Sequence, residues 1–132
     1  MITVVFYLAS AGLVLTLALL GPIFVGLLAS ETDVAFRFMV YLMLGIFVFA
    51  APVFAILGRL RRIPQVGGLV LAVLVWTVLP LAAAVPIIDI SSLSIVDSVF
   101  EAVSGLTTAG STTWKTLEDV PQALIFWRVE LQ

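Results

Sequence analysis

An all-α integral membrane protein is the fold class that this sequence predicts, on three observations. Of 132 residues, 63% are hydrophobic and 11% charged, less than half the roughly 25% charge of soluble domains. Residues 1–30, 38–58 and 63–88 carry no charge at all. Each run is at least as long as the about 20 residues a helix needs to cross ~30 Å of hydrocarbon. In lipid the backbone must pair with itself, so three spanning helices are the economical reading. The composition also excludes chemistry. Cysteine and histidine are both absent, which removes disulfides, thiol nucleophiles and the usual zinc and imidazole sites. An intramembrane enzyme is not expected, because no acidic pair lies mid-helix either.

The first helix is expected over about 3–29. A secretory signal is the competing reading. However, no Lys or Arg precedes the apolar core, and that core exceeds the ~7–15 residues of such signals. Gly21-Pro22 should bend this helix. The second helix is expected over about 36–57, with Gly45 and Pro52 inside it. The third is expected over about 64–88, with Pro80 and Pro86 loosening its end.

Between the second and third helices stands a loop at 59–62 that holds Arg59, Arg61 and Arg62. Short arginine-rich loops stay in the cytoplasm. This topology signal puts the N-terminus inside, and the segments around 31–37 and from Asp89 onward outside. Those outer segments hold Glu31, Asp33, Asp89, Asp97, Glu101, Glu118 and Asp119 against Arg37 and Lys115. An acidic outer face of this kind would concentrate cations.

After Ser94 the pattern changes. Val96, Val99, Phe100, Val103 and Leu106 recur at helical spacing, with Asp97, Glu101 and Ser104 on the other side. Ser94 and Asp97 form a candidate capping box. A helix over about 95–106 would be ~18 Å long, half a membrane, which suits a re-entrant segment. A helix lying flat on the bilayer would instead carry Lys or Arg on its polar face, and here that face is acidic.

The uncharged run "TTAGSTT" at 107–113 follows. As composition it is an ordinary polar loop. As the continuation of a half-membrane helix it has the make-up of a cation filter. The helix C-terminus supplies partial negative charge, and backbone carbonyls replace the ion's water. Thr favours extended backbone, and Gly110 permits a conformation that other residues resist. Pro121 then suits the start of another helix over 121–132. In it, Trp127 suits the membrane interface, and Arg128 and Glu130 need partners at depth.

"DSVFEAVSGLTTAGSTTW" followed by "PQALIFWRVELQ" resembles the first pore repeat of the Trk/Ktr/HKT potassium transporter superfamily, and its Trk uptake branch most closely. The resemblance implies a K⁺-channel-like transporter. Residues 1–58 would be two leading transmembrane helices, and 63–132 the first helix–pore-loop–helix repeat, incomplete at its C-terminus. The chain then looks like an N-terminal fragment. The alternatives are a subunit-type cation channel and a small non-conducting membrane protein.

By the same resemblance, Thr107, Thr108, Ala109, Gly110, Ser111 and Thr112 are ion-binding filter residues acting mainly through carbonyls. K⁺, or Na⁺, would sit at Thr108, Ala109 and Gly110. Ser111 and Thr112 stand where the channel signature TVGYG has its Tyr and second Gly. Arg128 occupies the family's Arg near the start of the second pore helix and is expected to pair with Glu101. No cofactor is implied, since K⁺ is the substrate. The implied partners are three further pore repeats of the same protein, a second copy of it, and a cytoplasmic nucleotide-binding regulatory subunit. The implied location is the bacterial inner membrane.

Overall fold

The computed structural model describes residues 2–57 and 65–132. Arg59, Arg61 and Arg62 lie outside the described residues. Within these, the chain is all-helical, with six segments: α1 (Ile2–Ala18), α2 (Leu20–Leu28), α3 (Thr32–Ile56), α4 (Gln65–Ile90), α5 (Ile95–Leu106) and α6 (Gln122–Glu130). The stretches Ile2–Leu28, Thr32–Ile56 and Gln65–Ile90 are each long and apolar enough to cross a membrane. Their outer surface is correspondingly greasy: Phe47 is 79% exposed and Phe54 73%. In water such a surface would be a liability, whereas against lipid it is the solvated face.

The break between α1 and α2 falls at Leu19, one turn before Pro22. Pro22 has no N–H to give the carbonyl of Ala18, and the turn tightens, with Leu19 N–H bonding to Thr16 carbonyl at 3.1 Å. The bend expected at Gly21-Pro22 therefore appears just upstream of it. Pro52, Pro80 and Pro86 lie inside unbroken helices. The loosened end expected for the third helix is absent, and α4 runs on to Ile90. Membrane helices tolerate proline where neighbours re-satisfy the backbone. Beside Pro86, the Trp127 indole N–H donates to the Ala83 carbonyl at 3.0 Å, one residue along from the Ala82 carbonyl that Pro86 itself cannot bond.

Helix association in lipid relies on close packing rather than on water. α1 and α3 run antiparallel and meet through small residues. Gly12 faces the Phe49 ring, Gly45 faces Thr16, and at the far end of α2 Gly26 faces Ala35. Each four-residue step down α1 is matched by a four-residue step up α3. α2 continues along α3 and also packs on α6, while α4 packs on α1 and α5. α3 and α4 are tied at one end, where Arg37 Nη1 lies 2.8 Å from Asp89 Oδ2.

The core gathers where α2, α3, α4 and α6 converge, around Phe38, Ala83, Ile87, Leu124 and Trp127. Trp127 is 1% exposed and stands edge-on to Phe38 at 6.3 Å between ring centres. It is thus a core residue and not an interfacial one. Its polar nitrogen finds a carbonyl inside the bundle, so it has no need of the headgroup region.

Candidate functional site

The site is built from α5, the loop after it, and α6. Ser94 caps α5: its hydroxyl accepts from the Asp97 N–H at 3.1 Å and donates to Asp97 Oδ2 at 2.7 Å. The helix is twelve residues long. Its orientation inverts the usual soluble pattern. Val96 is 77% exposed and Phe100 45%, whereas Ser98, Glu101, Ala102, Ser104 and Gly105 are buried. The polar face read from the sequence turns into the protein, while Val96, Phe100 and Val103 turn out and Val99 and Leu106 pack against the core. In a bilayer this is the cheaper arrangement, because polar groups find partners only inside the bundle.

α5 ends in a Schellman turn. The Ala109 N–H bonds to the Ser104 carbonyl at 3.0 Å and the Thr108 N–H to the Gly105 carbonyl at 2.8 Å. The residue that reverses the chain there is Thr108, with φ +56°. Glycine normally takes this place, since a β-branched side chain in the left-handed region is strained by on the order of 1–3 kcal/mol. Gly110 follows, also left-handed at φ +72°. Two left-handed residues within three positions give the loop its tight course. Thr107, Thr108, Ala109 and Gly110 are all exposed. Among the described residues no hydrogen bond reaches any of their four carbonyls.

The returning leg of the loop is held by a buried ion pair. Arg128 Nε lies 2.8 Å from Glu101 Oε2, with the Glu side chain fully buried and the Arg side chain 8% exposed. The other Glu101 oxygen accepts from the hydroxyls of Thr112 at 2.8 Å and Thr113 at 3.0 Å, and from the Thr113 N–H. Arg128 Nη2 donates to the Ser111 carbonyl at 3.0 Å and to Ser104 Oγ at 3.2 Å. The Ser104 hydroxyl in turn donates to the same Ser111 carbonyl at 2.7 Å. No described buried side-chain polar atom lacks a partner. This dense set of donors favours the ionised carboxylate and offsets the cost of burying it.

The structure therefore brings Glu101, Arg128, Ser111 and Thr112 into one cluster, with Thr107 to Gly110 projecting beyond it. Ser111 differs from its expected role. Two donors occupy its carbonyl, which has two lone pairs, so this carbonyl is committed to the protein rather than to an ion. The acidic outer face is also reassigned in part. Asp89 pairs with Arg37, Asp97 caps, Glu101 is buried with Arg128, and Glu31 bonds to the start of α6. Glu31 was missed as a structural residue because its partners lie 91 and 92 positions away. The only sequence signal was that Pro121 leaves α6 without a local side-chain cap. Glu130 forms no ion pair among the described residues and lies against Gly21.

Over 67 residues, 49% of its length, the chain is 45% identical to the Trk system potassium uptake protein TrkH of Escherichia coli strain K12. Over that half, the chain is a relative of the Trk-type potassium transporters. TrkH of Vibrio parahaemolyticus is 42% identical over 67 residues, and TrkG of E. coli K12 is 33% identical over 66. The match takes in 14% of the length of each of these Trk proteins. No family model matches the chain. With three apolar spans and these relatives, this is the sequence of a multi-pass membrane protein.

Proposed function

We propose that the chain is the N-terminal part of a potassium uptake transporter and supplies one of its four filter segments. K⁺ sheds water onto the carbonyls of Thr107, Thr108, Ala109 and Gly110, with Thr112 beyond them. Its main contacts are at Thr108, Ala109 and Gly110. Ser111 acts as the anchor of the strand. The observation that carries this reading is the clamp. A buried Glu101–Arg128 pair fixes residues 111–113, while the carbonyls of Thr107 to Gly110 have no hydrogen-bond donor among the described residues, in a chain related to potassium uptake proteins.

Oxygen dipoles suit the task better than a free carboxylate, because an ion must leave as readily as it binds. Inward movement is driven by the membrane potential, worth ~2.3 kcal/mol per 100 mV for each charge. The remaining pore repeats, a second copy and a cytoplasmic nucleotide-binding subunit complete the assembly. It sits in the bacterial inner membrane with its N-terminus in the cytoplasm. The acids at the outer end that make neither an ion pair nor a hydrogen bond among the described residues, Asp33, Glu118 and Asp119, then contribute the attraction for cations.

The test is Gly110→Ser in the complete transporter. A left-handed non-glycine residue costs about 1–2 kcal/mol, so the substitution disturbs the course of the loop that presents the carbonyls. K⁺ uptake at low external K⁺ is expected to fall by about tenfold or more. Unchanged uptake at normal membrane abundance rejects the filter role.

A further inference from the structure

Glu31 lies in the turn between α2 and α3, far in sequence from the filter. Its carboxylate accepts from the Gln122 N–H at 2.8 Å and the Ala123 N–H at 3.1 Å. Both belong to the first turn of α6, whose N–H groups have no partner inside the helix. The chain offers no local substitute. Pro121 stands at the N-cap, and its side chain has no acceptor. An anion at this end also meets the helix dipole favourably.

Two further features aim Glu31 at α6. The Glu31 N–H bonds to the Gly26 carbonyl at 2.8 Å and the Ser30 N–H to the Leu27 carbonyl at 3.4 Å, a second Schellman turn. Its reversing residue is Ser30, left-handed at φ 61°. This turn fixes the backbone from which the carboxylate extends. In addition, Gly26 lies at a crowded junction: a Cβ there would stand 3.1 Å from Ala35 Cβ and 3.3 Å from Ala123 Cβ. Three small residues thus draw the first turn of α6 onto the α2–α3 turn.

We infer that Glu31 is a positioning residue for the filter, acting through α6. This rests on the filter reading above. Arg128 stands five residues past Ala123, about 7.5 Å along the axis. It carries the bond to the Ser111 carbonyl and the pair with Glu101. The Glu31 cap holds the N-terminal turn of α6 and the Glu101 pair holds Arg128 further along it. The leading helices, which contribute no filter residue, thereby set the position of the filter strand.

The experiment measures the ratio of K⁺ to Na⁺ uptake, and the KM for K⁺, in the complete transporter. Glu31→Ala is expected to lower the ratio by about fivefold, the factor that loss of one helix cap corresponds to. Glu31→Gln keeps one acceptor oxygen and should fall between. The decisive variant is Glu31→Ala with Pro121→Ser, which gives α6 a neutral local cap. Recovery of the ratio, and of membrane abundance if Glu31→Ala alone lowers it, supports the inference. A neutral cap would not rescue a residue that acts only by its charge on approaching cations, so failure of the rescue overturns it. So does a wild-type ratio in Glu31→Ala when Gly110→Ser is impaired. An unimpaired Gly110→Ser removes the filter reading itself.

Discussion

A carboxylate with no solvent contact, such as Glu101, survives in a bundle only with donors on both oxygens. Here one oxygen faces Arg128 and the other faces Thr112 and Thr113. Removing either charged partner leaves the other buried and uncompensated, which costs about 3–5 kcal/mol. Glu101→Gln and Arg128→Met are therefore expected to destabilise strongly one at a time. The double variant should be much less than additive, with a coupling of at least about 1.5 kcal/mol. Thermal unfolding of the detergent-solubilised protein and its variants gives the cycle. Additive losses would show that the pair is incidental. This pairing was expected from the family resemblance and from the cost of either charge alone at depth. The use of the Ser111 carbonyl was not, since backbone direction in a strand depends on φ values that Thr and Ser do not announce.

At the scale of elements, the three long helices follow from run length and charge alone, since lipid leaves no alternative for an unpaired backbone. α5 is different. Its periodicity of 3.6 reveals two faces but not which one meets protein. In water the apolar stripe would go inward, yet here Val96, Phe100 and Val103 face out and Glu101 and Ser104 face in. Gly105 shows how tightly the inner face is used. A Cβ there would stand 2.9 Å from Leu131 Cβ and 3.2 Å from Arg128 Nη1. Gly105→Ala should force α6 away from α5, costing about 1–3 kcal/mol as an overpacked site. It should also impair K⁺ uptake, because Arg128 moves with α6. A variant with normal stability and uptake would mean that the two helices are free to separate.

For the whole molecule, orientation is the feature on which sequence and structure bear separately. The arginines at 59–62 predict that the α3–α4 connection is cytoplasmic. The described residues show that the other end of the bundle is the polar one: the Arg37–Asp89 pair, the Glu31 contact with α6, the Ser94 cap and the Lys115 to Asp119 loop belong to it. α3 begins there and α4 ends there, so a single assignment fixes every element. The chain contains no cysteine, which makes the test direct, because one introduced thiol is the sole label site in this chain. Lys115→Cys in the exposed outer loop should react with a membrane-impermeant maleimide on intact cells. Gln65→Cys, at the opposite end of α4, should react only after permeabilisation. The reverse pattern would invert the topology, placing the filter loop at the cytoplasmic face.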